Sequence, residues 1–157
     1  MCGIIGYIGK QNVAPILFNG LKRLEYRGYD SAGVATLGSG LHIKKDAGKV
    51  EEIHEKLNLL DIPGTLGIAH TRWSTHGPPT KENAHPHLDC EEKLAVVHNG
   101  IIENYQELKR SLISSGHKFR SQTDTEVLPH LIEEIKKRGK NFHDATASAI
   151  RALEGRY

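Results

Sequence analysis

Apolar residues along the chain fall into short runs and four-residue steps, separated by one long interval that has neither. Gly3-Ile4-Ile5-Gly6-Tyr7-Ile8-Gly9 is too short and too rich in glycine for a helix. It reads as a buried strand beginning almost at the terminus, with Cys2 at its end. Val13, Leu17, Leu21 and Leu24 then recur at helical spacing, with Pro15 near the start where a missing N–H costs least, and predict an amphipathic helix. Past the Tyr26-Arg27-Gly28-Tyr29-Asp30 loop, Gly33 to Leu37 and Leu41 to Lys45 flank Gly38-Ser39-Gly40 and predict a hairpin. Further strands are expected at Leu66 to His70 and Leu94 to His98. Three helices carry clear stops: Glu103 to Ser115 before Gly116, Thr125 to Arg138 before Gly139, and Phe142 to Leu153 before Gly155. Thr123 and Glu126 have the spacing of a capping box for the middle one. The interval from Thr71 to Glu92, rich in proline, histidine and charge, has no period and reads as a functional or disordered loop.

Length and charge narrow the classes. A chain of 157 residues without repeat, low-complexity tract or linker is expected to be one domain, large enough to bury a core unaided. A net charge of +2 gives no electrostatic footprint for a nucleic acid partner. No apolar run approaches the roughly 18 to 20 residues that span a bilayer, and no basic segment leads into an apolar core. The expectation is a cytoplasmic protein with no membrane partner, its two cysteines, Cys2 and Cys90, reduced.

The candidate chemistry begins at Cys2. Removal of Met1 would leave a thiol and a free α-amine on one residue, with ordinary pKa values within about one unit of each other, so the amine can act as the nucleophile's own base. By position alone, a cysteine at a strand end reads first as an accident of packing. In the long loop, Arg72 could hold a carboxylate with two parallel N–H bonds, Thr75 and His76 could donate further bonds, and Trp73 could cover an apolar stem. Alternatively, Arg72 and Trp73 stack on each other at the surface and His76 is a solvated loop histidine. Asn99-Gly100 suits a tight turn; the same geometry could aim the Asn99 amide and the Gly100 N–H at one point as an oxyanion hole. Asp124 either favours a helix start or pairs with an ammonium group. His76, His85, His87 and His98, with Asp89 and Cys90, lack any metal-ligand spacing, so no metal and no cofactor are expected.

Taken together, these stretches resemble one family. Met1 to Gly6, Arg23 to Gly33, Ala69 to Gly77, Asn83 to His87, Val97 to Asn104 and Thr123 to Val127 are similar, in order and at compatible spacing, to the glutaminase domain of class II glutamine amidotransferases. Within that family they look like the glucosamine-6-phosphate synthases. The resemblance implies an α+β fold, the four-layer αββα sandwich of the N-terminal-nucleophile hydrolases. It implies that Cys2 attacks the side-chain amide of L-glutamine, that Asn99 and Gly100 form the oxyanion hole, and that Arg72, Thr75 and His76 hold the substrate carboxylate. Asp124 would hold the α-ammonium group, Trp73 would belong to a lid, and Arg27, His85 and His98 would support the site. The ammonia would pass to a separate synthase domain, absent from residues 1–157, where fructose 6-phosphate is aminated. Homo-oligomers are compatible with this reading. The complete family domain is longer, so the chain is expected to be truncated at its C-terminal end. The alternatives are an inactive folded fragment that binds glutamine or a partner chain, or a glutaminase domain of another class II amidotransferase.

Overall fold

A computed structural model describes residues 2–74 and 77–157. The chain forms two compact units, residues 1–86 and 87–157.

The first unit is built on a four-stranded antiparallel sheet of β1 (Gly3–Ile8), β2 (Ser31–Leu37), β3 (Leu41–Ala47) and β4 (Leu66–Arg72), in the order β1-β4-β2-β3. Helices α1 (Ala14–Leu24) and α2 (Val50–Leu57) pack on this sheet. Val13, Leu17 and Leu21 of the predicted stripe are fully buried against Ala32, Val34, Ala69, Val50 and Ile53. Pro15 falls in the first turn, as its missing N–H favours. Helix α2 was not foreseen. It has only eight residues, opens where the Lys49 N–H donates to the Glu52 carboxylate (3.0 Å), and ends on Asn58 in a left-handed conformation.

The opposite side of β2 explains a glycine. Gly33 pairs with His70 on β4, and a Cβ at Gly33 would lie 2.3 Å from the carbonyl oxygen of His85. The missing side chain lets the 82–86 segment lie flat, where His85 stacks on His70 with ring centroids 4.2 Å apart. Lys45 on β3 pins the same segment by donating to the carbonyls of Ala84 (2.6 Å) and Pro86 (2.9 Å). Much of the long loop predicted from sequence is therefore fixed by packing and by one ammonium group.

The second unit contains two small antiparallel pairs, β5 (His87–Leu88) with β6 (Ala95–Val96) and β7 (Ile101–Ile102) with β8 (Gly155–Arg156), and helices α3 (Tyr105–Ser114), α4 (Val127–Lys137) and α5 (Phe142–Arg151). Its core gathers Ile102, Leu112, Val127, Ile132, Ala145 and Ala149. Helices α3 and α4 stop before Gly116 and Gly139, both at positive φ, as read from sequence. No helix among the described residues is long and apolar enough to cross a membrane.

Two expectations are corrected here. The strand at Leu94 to His98 shrinks to Ala95–Val96, because β5 offers a partner for only two residues. The capping box at Thr123 and Glu126 does not form. The Thr123 hydroxyl is shared with Ser121 Oγ (3.0 Å) and His87 Nε2 (2.9 Å), and Glu126 reaches back to the N–H groups of Arg120 (2.8 Å) and Ser121 (2.7 Å) and to Ser121 Oγ (2.6 Å). Burial works against the Glu126 charge, but His130, Ser121 and those backbone donors bring its carboxyl down to about 2. Glu126→Gln would turn an amide NH2 toward groups that are themselves donors. It is expected to destabilise the protein by about 1 to 3 kcal/mol, measured by denaturant unfolding.

Candidate active site

In the first unit the candidate residues collect at one end of the sheet. Because Gly3 pairs with Thr71, the chain just before β1 runs beside the chain just after β4, and Cys2 meets Trp73. The Trp73 N–H points at Cys2 Sγ (3.2 Å), and the thiol can donate to the Trp73 carbonyl (3.5 Å). Thr71 Oγ1 accepts from the Gly3 N–H (3.2 Å) and fastens the same corner.

Arg72 is buried, and its guanidinium donates to Ser74 Oγ and to the carbonyls of Gly77 and Pro78, each at 3.3 Å. It thereby shapes the loop that follows β4. Trp73 is 46 % exposed and sits edge-on to Tyr29, with centroids 5.8 Å apart, in place of the Arg72–Trp73 stack considered from sequence. Asp30, singled out by no sequence argument, accepts from the Ser74 N–H (2.8 Å) while its own N–H donates to the Arg72 carbonyl (3.0 Å). The Tyr26–Asp30 stretch is thus a brace for the residues after β4, and Arg27 closes the one-turn helix Glu25–Arg27 within it. His85 is buried against His70. Met1, Thr75 and His76 lie outside the described residues.

In the second unit, Asn99 and Gly100 are exposed at the turn between β6 and β7. Gly100 has φ +139, and a Cβ there would stand 2.2 Å from the Arg156 carbonyl oxygen, so only glycine fits. Asp124 is buried and accepts from the Ile102 N–H (2.8 Å), which ties the start of the α4 region to β7. His98 Nδ1 meets Thr125 Oγ1 (3.0 Å). Burial holds the His98 ring below its ordinary pKa, and the Asp124 charge pulls it partly back. Cys90 belongs to different surroundings: burial pushes its thiol up, which is the opposite of what a nucleophile needs.

A family described as glutamine amidotransferase domain matches residues 70–157. Glutamine–fructose-6-phosphate aminotransferase (isomerizing) of Pyrococcus horikoshii is 60% identical over 158 residues, covering all of this chain and 26% of its own length. The protein of the same name from Methanothermobacter thermautotrophicus is 58% identical, again over the whole chain and 27% of its length. The chain therefore spans about a quarter of these relatives. Among solved structures, glutamine phosphoribosylpyrophosphate amidotransferase of Bacillus subtilis superposes with a TM-score of 0.83 at 29% identity, covering 99% of this chain and 33% of that one. A second, described as the allosteric regulatory enzyme of purine biosynthesis, gives 0.83 at 31% identity, covering 99% and 34%. The α+β fold is that of the N-terminal-nucleophile amidotransferases. By sequence and by structure, this chain belongs to the glutamine amidotransferase domain family.

Proposed function

We propose that the chain hydrolyses L-glutamine to glutamate and ammonia, with Cys2 as nucleophile, and that the ammonia serves to convert fructose 6-phosphate to glucosamine 6-phosphate in a longer polypeptide. The observation that carries the reading is the Cys2 sulfur beside the Trp73 N–H, next to the buried Arg72. The shared name of the relatives supports fructose 6-phosphate as the acceptor sugar. The reaction is assigned to the cytoplasm, where thiols such as these two are kept reduced.

Once Met1 is removed, the α-amine of Cys2 takes the thiol proton. The sulfur attacks the side-chain carbonyl carbon of glutamine, and the C=O pair moves onto oxygen, where the Asn99 amide and the Gly100 N–H are assigned as donors. Collapse of this adduct breaks the C–N bond. The proton held on the α-amine goes to the departing nitrogen, which leaves as ammonia. Water then adds to the thioester, releasing glutamate and restoring the thiol. Arg72, Thr75 and His76 are assigned to the substrate carboxylate and Asp124 to its ammonium group, with Trp73 covering the aliphatic stem and Arg27, His85 and His98 supporting these residues.

The test is a glutamine analogue carrying an electrophilic ketone in place of the amide, applied to protein whose loss of Met1 has been verified by intact mass. A single adduct at Cys2, suppressed by excess glutamine, is expected. Labelling at Cys90, or none at Cys2 in a preparation that hydrolyses glutamine, would overturn the assignment.

A further inference from the structure

The second unit holds a cluster that the glutaminase chemistry does not use. Cys90, in the loop joining β5 and β6, His117, just after α3, and His130 and Glu133, one turn apart on α4, bring a sulfur, two ring nitrogens and a carboxylate oxygen to within 4.8 Å of one another. Cys90 Sγ lies 3.6 Å from His117 Nδ1 and 3.4 Å from His130 Nδ1, and the two Nδ1 atoms are 3.4 Å apart. Glu133 Oε2 lies 3.3 Å from the first nitrogen and 3.6 Å from the second. Around a tetrahedral zinc ion with bonds of about 2.0 to 2.3 Å, neighbouring ligand atoms stand about 3.3 to 3.6 Å apart. Five of the six edges of the cluster already have these lengths, and the sixth, between Cys90 Sγ and the Glu133 carboxylate, is no longer than 4.8 Å.

The orientation of the two rings argues for a cation at the centre. His117 turns Nε2 toward Glu134 Oε2 (3.2 Å), and His130 turns Nε2 toward Glu126 Oε1 (3.7 Å). At His117 the Glu134 carboxylate is within hydrogen-bond reach and holds the proton on Nε2, leaving the lone pair on Nδ1, the arrangement typical of metal-bound histidine; at His130 the Glu126 carboxylate stands beyond hydrogen-bond reach and favours the same tautomer only through its charge. Two such lone pairs would then face each other, a sulfur and a carboxylate oxygen, with both rings and Glu133 no more than 5 % exposed. In a buried site this crowding of electron pairs is unfavourable unless something positive lies among them. Outer groups complete the pattern. The Lys118 N–H approaches the sulfur (3.5 Å), the Cys90 N–H donates to Glu133 Oε2 (2.9 Å), and Lys137 holds the other oxygen (2.6 Å).

We propose that Cys90, His117, His130 and Glu133 bind a divalent zinc ion as a structural site that staples the β5–β6 loop and the end of α3 to α4. One thiolate, one carboxylate and two neutral imidazoles balance the ion's charge, and four protein ligands leave no position for a substrate. The sequence expectation of no metal weighed Cys90 only against nearby histidines; His117 and His130 lie 27 and 40 residues further on.

The test uses the whole chain, without a histidine tag, carrying Cys2→Ala so that Cys90 is its only thiol. Protein from zinc-supplemented cells is expected to carry about one zinc per chain, and chelation should lower its melting temperature. Titrating the stripped protein with cobalt(II) should produce a thiolate-to-cobalt charge-transfer band that saturates at about one equivalent. Cys90→Ser should abolish the band, and Glu133→Gln should weaken binding by about ten- to a hundredfold. Should either variant fail to fold, the band in the Cys2→Ala protein decides alone, since only Cys90 can give rise to it. Absence of bound zinc together with absence of the band would overturn the site. So would metal retained in full by a folded Cys90→Ser variant.

Discussion

Cys2→Ser is expected to abolish glutamine hydrolysis, with a fall on the order of a thousandfold or more in kcat, while glutamine still binds. Serine preserves the size of the side chain, so the strand end and its contact with Trp73 have no steric reason to change. What changes is acidity. A thiol and an α-amine have similar pKa values, whereas an alcohol is far less acidic, so the same amine can no longer generate the nucleophile. The measurement is ammonia release under saturating glutamine, with binding followed separately by calorimetry. Turnover within tenfold of the parent would remove Cys2 from the mechanism.

Asp124 is expected to show two separable effects. Asp124→Ala leaves the buried Ile102 N–H without its acceptor, which destabilises by about 1 to 3 kcal/mol. It also removes the carboxylate assigned to the substrate ammonium, which is expected to weaken glutamine binding by about 2 to 5 kcal/mol, or roughly thirtyfold and more. Asp124→Asn separates the two, because its side-chain oxygen can still accept from Ile102 while the charge is gone. Thermal unfolding should recover toward the parent value and the KM for glutamine should stay raised. An Asp124→Asn variant with an unchanged KM would show that the carboxylate serves the fold and not the ligand.

The regular elements with a strong local signal were readable in advance. Helix α1 is announced by four apolar residues at helical spacing and by Pro15, and the β2–β3 hairpin by Gly38-Ser39-Gly40; both form as predicted. Local signals fail where a partner from elsewhere decides. Thr123 and Glu126 have the spacing of a helix cap, but the hydroxyl finds His87 and the carboxylate finds the Arg120 and Ser121 backbone, so α4 begins later without a side-chain cap. The apolar run from Leu94 has strand character, yet a strand is only as long as the ladder beside it. Asp30 and Lys45 look like ordinary surface charges in the sequence. Their roles as braces come from which backbone groups the sheet brings beside them.

The candidate site divides along the same line. Cys2, Arg72, Asn99, Gly100 and Asp124 sit in compact motifs whose residue order carries the family resemblance, because the chemistry needs particular groups next to particular turns. That order was determined by sequence alone. What Arg72 and Asp124 do in the folded chain was not: one guanidinium shapes its own loop and one carboxylate holds a strand, contacts that depend on register and burial. The Cys90, His117, His130 and Glu133 cluster is the extreme case. Only the last two have a meaningful spacing, one helical turn, and the other two converge because two separate segments pack around α4. Periodicity records what neighbours in the chain do together. Coordination geometry, buried charge pairing and loop bracing depend on distances between residues far apart in the chain, and those distances exist only after the core has closed.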